Sequence, residues 1–242
     1  MARAHDEPPP RAPVRSRLLA ALATIALPER CVVCGRFGAA LHDACVATLP
    51  RADGPRCLLC WQPSAAPRCE RCGPGDGPSA ALAVDGLRAC FRFEGSARRA
   101  LIEAKFQGVS GLLPPLARAA AAIVPRDWAP LAVMPVPLSS ARRRRRGFNQ
   151  AEVAAAAVAA AIGQPLATGI VRRVRDTTPQ STLSAAERER NLDAAFVAAA
   201  APARVLVVDD VTTTGTTLAA IARTLRAAGA QRVYGLALAR ED

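Results

Sequence analysis

Lysine is nearly absent. Lys105 is the one lysine in a chain of 242 residues whose Lys+Arg total is 32 against 20 Asp+Glu. Such a bias toward arginine and alanine reflects coding preference, so the formal charge of +12 suits phosphorylated ligands or nucleic acid without establishing either. A position that kept lysine carries more information. Aromatic residues make up 4% of the chain, which leaves few rings for the interleaved stacking that single-strand nucleic-acid binders use. No Gly-x4-Gly-Lys-Ser/Thr phosphate loop occurs, which argues against a nucleotide triphosphatase. Long apolar runs are also missing. Leu18 to Leu27 is too short to span a bilayer, and no cleavage pattern or lipobox precedes Cys31, so a cytoplasmic protein with no membrane insertion is expected.

Cysteine is concentrated in the first third, with seven of its eight copies. Its spacing is Cys31-x2-Cys34, His42-x2-Cys45, Cys57-x2-Cys60 and Cys69-x2-Cys72. Ligands two residues apart form a tight knuckle that supplies half of a tetrahedral zinc site, so four half-sites make two zincs. Sequential pairing joins Cys31, Cys34, His42 and Cys45, then Cys57, Cys60, Cys69 and Cys72, as in a tandem zinc ribbon; crossed pairing is the alternative. The glycines and prolines between the knuckles leave little core, so metal binding would have to drive folding of this module. No recognition-helix pattern follows it, which disfavours a zinc-based transcription factor. Cys90 lacks a knuckle partner and reads as a buried thiol in a strand.

The most informative stretch lies near the other end: Val205-Leu-Val-Val-Asp209-Asp210-Val-Thr-Thr213-Thr214-Gly215-Thr216-Thr217, then a helical pattern from Leu218 to Ala228. Four consecutive apolar residues fit a strand buried on both faces, and ligands of open α/β sheets collect at the carboxyl ends of such strands. Gly215 and the hydroxyl run, placed at a helix N-terminus, make a phosphate cradle. Two carboxylates beside it would repel a bare anion. A sugar phosphate reconciles them: Thr213 to Thr217 hold the 5-phosphate, while Asp209 and Asp210 meet ribose hydroxyls or a hydrated Mg²⁺. At this point the stretch resembles the phosphoribosyl-diphosphate (PRPP) signature of type I phosphoribosyltransferases.

Between these regions, Leu82 to Val84, a turn at Asp85-Gly86 and the alternating Leu87 to Phe93 predict a hairpin. Helices are expected from Ser96 to Phe106 and from Leu112 to Val124, the latter with Pro114 and Pro115 in its first turn. A strand at Leu131 to Met134 enters Pro135-Val-Pro-Leu138-Ser139-Ser140, whose free N-H groups can hold an anion, and then the run Arg142 to Arg146. That run reads equally well as a solvated charge run. Asn149 with Glu152 predicts a capping box for a helix to Ile162, and Ser184 with Glu187 another for a short helix. Short strands are expected near Ile170-Val171 and at Phe196-Val197, and a last one from Arg232 to Ala239. This alternation argues for a parallel sheet of α/β type.

Taken together, the knuckles, Lys105-Phe106, Val136-Pro137, Arg146-Gly-Phe-Asn-Gln150, Pro179-Gln180, Arg190-Asn191 and the acidic phosphate loop resemble the ComF family, with its competence-associated ComFC and GntX-type proteins. The resemblance covers nearly the whole chain; His42 stands where relatives often carry cysteine. Met1 to Arg17, with Pro8-Pro9-Pro10 and scattered charges, reads as a disordered leader outside the resemblance, which implies a helix and zinc-ribbon module at 18–78 and a type I phosphoribosyltransferase-like α/β domain at 79–242. The resemblance further implies PRPP as ligand with Mg²⁺, and a part in competence and DNA uptake. In the implied transfer, Asp209 and Asp210 serve the reaction, and Leu138, Ser139 and Ser140 with Lys105, Arg146 and Arg172 face pyrophosphate; the acceptor is unknown, its pocket built by a hood around Phe91 and Phe93. The alternative is a binding protein without turnover that contacts single-stranded DNA or competence proteins.

Overall fold

The computed structural model describes residues 29–73, 82–106, 109–174 and 195–242. The expected leader and first helix, Gln107-Gly108, Pro179-Gln180, the Ser184–Glu187 cap and Arg190-Asn191 lie outside the described residues. At the centre run two long parallel strands, β5 (Arg204–Thr212) and β6 (Arg232–Arg240), flanked by β1 (Gly86–Arg92) and β2 (Ala132–Pro135) in the order β1-β6-β5-β2. All three pairings are parallel.

Successive side chains of a strand point to opposite faces, and β5 supplies both. Leu206 and Val208 join one apolar cluster with Leu236, Leu238 and Val46 of the short α1 (Asp43–Val46), covered by α2 (Gly95–Phe106), α3 (Leu113–Ala121) and α5 (Gln150–Ile162). Val205 and Val207 join the other with Val233, covered by Leu218, Ile221 and Leu225 of α6 (Thr216–Ala227). The buried Val-rich run therefore has the two-sided environment its composition demands. A separate antiparallel pair, β3 (Val171–Arg173) and β4 (Phe196–Ala198), places Val171 and Phe196 in the second cluster.

The hairpin expected at 82–93 is not formed. A single strand, β1, pairs parallel with β6 instead, and Phe91 is fully buried in the core rather than part of a hood. Asp85 and Gly86 resemble a turn in sequence but serve other ends. The Asp85 carboxylate accepts from Arg226 at 2.6 Å, Arg232 at 2.8 Å and the Val233 N–H at 2.8 Å, pinning the start of β1 to β6. Gly86 makes room for Trp128, since a Cβ there would lie 2.7 Å from its ring. Trp128 in turn stacks on Tyr234 with centroids 4.4 Å apart. The Asn149–Glu152 box is also only half made: Asn149 caps α5 by accepting from the Ala151 N–H at 3.2 Å, while Glu152 pairs with Arg143 of α4 (Ser140–Arg146).

The knuckles repeat one backbone device. Gly35 N–H bonds the Cys31 carbonyl and Trp61 N–H the Cys57 carbonyl, each at 2.8 Å; Arg30 bridges Phe37 as Arg56 bridges Pro63. The ligand atoms of Cys31, Cys34, His42 and Cys45 gather within 4.8 Å of one another, as do those of Cys57, Cys60, Cys69 and Cys72. This is the sequential pairing. Tetrahedral zinc with thiolates at about 2.3 Å needs donors roughly 3.8 Å apart, and the Cys60–Cys69 sulfurs stand 3.6 Å apart. His42 turns Nδ1 toward Cys34 Sγ at 3.4 Å and Nε2 toward the Phe37 carbonyl at 3.3 Å, which orients the ring as a ligand. Burial raises the Cys31 and Cys57 thiols, but backbone N–H groups outweigh it and hold both down to about 6, favouring the ligating thiolate. Both donor sets can hold zinc.

The module closes the open edge of the sheet. Arg51 bridges Phe91 of β1, with Ala52 N–H to the Cys90 carbonyl at 3.0 Å and Arg92 N–H to the Pro50 carbonyl at 2.9 Å. The second knuckle goes deeper: its four cysteines are buried and share an apolar cluster with Leu82 and Leu218. Arg56 grips Asp242 through two bonds of 2.9 and 2.8 Å, and Arg240 donates to the Cys60 carbonyl at 2.8 Å.

Two outcomes follow. Gly86→Ala is expected to cost about 1–3 kcal/mol of stability by overpacking against Trp128, read as a lower urea midpoint; an unchanged midpoint would contradict the packing described. A colorimetric chelator is expected to withdraw the metal of the first, partly exposed set while circular dichroism stays native, and that of the buried set only as the signal collapses. Simultaneous release would show the two sets to be equivalent.

Candidate active site

Strand β2 stops at Pro135, opposite Val208, while β5 continues along β6 through Asp209↔Ala237, Val211↔Ala239 and Thr212↔Arg240. The acidic pair therefore lies within the strand, where one edge has lost its partner. Each carboxylate turns back on the chain: Asp209 Oδ1 accepts from the Asp210 N–H and Asp210 Oδ1 from the Val211 N–H, both at 2.9 Å. Lys105, in the last turn of α2, reaches Asp210 Oδ2 at 3.4 Å. The retained lysine is thus a charge partner of the acidic pair.

A cleft runs along this edge as two adjoining hollows of about 170 and 270 Å³ that share Lys105, Asp209, Val211 and Thr217. The larger is bounded by Thr213, Gly215, Thr216 and Thr217. Gly215 takes φ 77° at the N-cap of α6, a backbone that favours glycine, and a Cβ there would crowd Leu82 at 3.0 Å. The first N–H groups of this 12-residue helix have no intrahelical acceptors and are suited to an anion. Thr214 and Thr216 share a hydroxyl contact of 2.9 Å; Thr214 stands outside the lining.

The smaller hollow is walled by Val136, Pro137 and Leu138, with Arg142, Arg146 and Arg173 as cations. Ser139 is buried and its Oγ caps α4, accepting from the Arg142 N–H at 3.4 Å. Ser140 and Arg172 line a neighbouring hollow behind the loop instead. The alternation of β3 explains the exchange, since Arg173 enters the cleft and its neighbour Arg172 does not. Arg142 to Arg146 is therefore a short helix with two members facing the cleft, not solely a solvated run.

In the sequence Gln150 stands out only as the end of the Arg146-Gly-Phe-Asn-Gln150 motif, with no role of its own. Only 2% exposed, it donates to the Lys105 carbonyl at 3.4 Å and accepts from Arg146 at 3.4 Å, joining the two cations. Asn149 Nδ2 holds the Val136 carbonyl at 3.1 Å and so fixes the Pro135–Ser140 loop. A lone amide on the buried side of an alanine-rich helix is the signal that could have found Gln150. Phe93, expected in the acceptor hood with Phe91, lines the larger hollow, as does Glu241, which the sequence did not single out.

Burial, and next the Asp210 carboxylate, push the Asp209 carboxyl up to about 8, with Lys105 opposing them. Lys105 pairs with Asp210 and leaves Asp209 without a cation of its own among the described residues, and hard oxygen donors beside the threonine loop suit Mg²⁺ in place of the proton that Asp209 retains. The donor set therefore fits a hydrated Mg²⁺ beside a sugar phosphate. Because the folded-state value lies above the ordinary 3.8, the folded protein holds the extra proton, and this contribution to stability is lost as pH rises through about 8. Asp209→Asn is expected to melt higher than the parent at pH 8.5 in the ligand-free state, with the gap closing toward pH 4; a gap independent of pH would contradict the assignment.

Residues 144–240 match the family model described as "Phosphoribosyl transferase domain". The match runs from Arg144 of α4 to the end of β6, so it contains Arg146, the acidic pair and the Thr213–Thr217 loop. Competence protein F of Haemophilus influenzae is 42% identical over 117 residues, covering 46% of this chain and 51% of that protein. DNA utilization protein YhgH is 40% identical over 110 residues in Salmonella typhi and 37% over 110 residues in Escherichia coli K12, each covering 45% of this chain and 48% of the relative. The chain thus spans about half the length of the curated relatives it matches. With a parallel sheet that carries an acidic pair followed by a threonine- and glycine-containing loop, and with two zinc-competent donor sets at its N-terminal side, the chain is similar over a little under half its length to competence protein F and YhgH, and its residues 144–240 match the phosphoribosyl transferase domain.

Proposed function

We propose that the protein binds PRPP with Mg²⁺ and transfers its phosphoribosyl group to an acceptor, releasing pyrophosphate, in the setting of competence and DNA uptake. One observation carries the reading: the Asp209–Asp210 pair, with Lys105 at 3.4 Å from Asp210, stands between a phosphate cradle and a cation-lined loop in a single cleft. Thr213, Gly215, Thr216 and Thr217 hold the 5-phosphate, with Thr214 bracing Thr216. Asp209 and Asp210 accept from the ribose hydroxyls and metal-bound water. Leu138, Lys105, Arg146 and Arg173 face pyrophosphate, with Ser139 and Ser140 shaping the loop behind them. The metal, when bound, offsets charge on the leaving group.

Transfer at ribose C1 passes through an oxocarbenium-like state, so positioning and charge complementarity suffice and no nucleophilic triad is needed. Gln150 keeps Lys105 and Arg146 in register with each other. The competence and DNA utilization names of the relatives supply the biological setting. A cytoplasmic site of action accords with this setting, and among the described residues no helix is long and apolar enough to cross a membrane.

A second reading, a binding protein without turnover, draws support from the exposed arginines of α4 beside the cleft, which can meet phosphates of single-stranded DNA. Calorimetry and pyrophosphate release separate the two. Asp209→Asn with Asp210→Asn is expected to weaken PRPP binding in Mg²⁺ by about 100-fold and Lys105→Ala by about 10-fold, the scale of lost charged hydrogen bonds. DNA affinity, if present, should survive both changes and fall steeply with salt. Absence of PRPP binding by the parent protein sinks the transferase reading.

A further inference from the structure

Ser140 and Arg172, which the family resemblance places at pyrophosphate, are turned away from it. They line a separate hollow of about 410 Å³ on the far side of the Pro135–Ser140 loop, larger than either half of the cleft. Neither the acidic pair nor Lys105, Arg146 or the threonine loop borders it, so it is distinct from the site already described. Small-molecule pockets occupy about 300–1,000 Å³, and this hollow exceeds what a single phosphate group fills.

Its walls are held by the sheet. The Val133 N–H bonds the Pro165 carbonyl at 3.0 Å and the Ala167 N–H bonds the Val133 carbonyl at 2.8 Å, so the chain is stitched along the outer edge of β2 and delivers Thr168 to the hollow. Pro135 and Val171 are buried and give it an apolar floor. Three arginines meet one carboxylate there: Arg143 pairs with Glu152, which leaves Arg172 and Arg173 in excess. Among the described residues no hydrogen bond or ion pair engages the exposed Arg172 guanidinium or the Ser140 and Thr168 hydroxyls. A guanidinium beside two hydroxyls suits a phosphate, and the adjoining proline surface suits an organic group attached to it.

We propose that this hollow is a second ligand site, for an organic phosphate monoester, and that its occupancy opposes anion binding in the cleft. Arg172, Ser140 and Thr168 hold the phosphate, and the organic group lies on Pro135, Pro137 and Val171. The coupling arises at the partition. Pro137, Leu138 and Arg173 border both this hollow and the cation-lined half of the cleft. An anion behind the loop draws on Arg173 and repels an anion in front of it, and both effects have the same sign. By reciprocity, an anion in the cleft weakens the monoester by the same factor. The site stands without the transferase reading; the naming of pyrophosphate as the opposed anion rests on it.

Calorimetry tests this with adenosine monophosphate (AMP) as the monoester, inorganic phosphate as the bare anion and magnesium pyrophosphate as the cleft probe. The parent is expected to bind AMP about tenfold or more tightly than inorganic phosphate, through the apolar floor. Arg172→Ala is expected to weaken AMP by about tenfold while pyrophosphate affinity is kept. Arg145→Ala, at an exposed arginine of α4 outside the hollow, should leave AMP unchanged, which separates a contact from the general field of a basic surface. Saturating AMP should weaken pyrophosphate by about fivefold or more, and Arg172→Ala should remove that effect. AMP binding that falls with Lys105→Ala and not with Arg172→Ala belongs to the cleft and overturns the proposal. No AMP binding, equal affinity for AMP and inorganic phosphate, equal losses in Arg172→Ala and Arg145→Ala, or independent binding of AMP and pyrophosphate overturns it as well. If PRPP and pyrophosphate both fail to bind, the transferase reading fails instead, and the AMP titrations still judge the hollow.

Discussion

The cleft depends on a mismatch of strand lengths. β2 ends at Pro135 while β6 supports β5 to Thr212, so the acidic pair sits on a backbone that is rigid on one side and open on the other. Proline helps make that edge: Pro135 and Pro137 have no N–H to extend the ladder. Had β2 run longer, its backbone would fill the space that now admits a ligand. Had β5 run shorter, the carboxylates would sit on a loop, with less definition of their separation from the cradle. The charge arrangement follows from the same geometry, because burial within a strand, more than any contact, moves Asp209 away from ordinary carboxylate behaviour.

The zinc-competent module is tied into this arrangement unequally. The first donor set packs with the cluster under α2 and α3, and Cys34 remains exposed. The second lies in the same cluster as Leu82, whose side chain would be met by any Cβ at Gly215. A chain of contacts thus leads from four buried cysteines to the turn that begins α6. That route makes the second donor set part of the support of the Thr213–Thr217 loop.

Much of the centre was legible because its signals are local. The Val205–Val208 run, the two aspartates and the glycine-containing loop each report a physical requirement within a few residues. Ligand pairing in the knuckles was half legible: spacing identified the donors, and folding chose sequential over crossed partners. The hairpin was misread because Asp85-Gly86 carries the letters of a turn, whereas Gly86 answers to Trp128, 42 positions later in the chain. The choice of Arg173 over Arg172 depends on the parity of a three-residue strand, which composition does not reveal. Gln150 acquires meaning only when α2 and α4 converge on it. Contacts set by sheet order were hidden; contacts set by neighbouring residues were not.

Trp61 shows what the duplicated knuckle has become. It occupies the turn position filled by Gly35 in the first copy, and it holds the same left-handed backbone, φ 61° against 70°. A side chain there costs about 1 kcal/mol or more relative to glycine. The second copy recovers this through the indole N–H to the Ala89 carbonyl at 2.9 Å and the Arg88 guanidinium 4.4 Å above the ring. The same turn is therefore generic in one copy and keyed to β1 in the other. The two copies are no longer interchangeable parts: one is a knuckle that happens to lie against the sheet, and the other is a knuckle whose strain has been converted into an address.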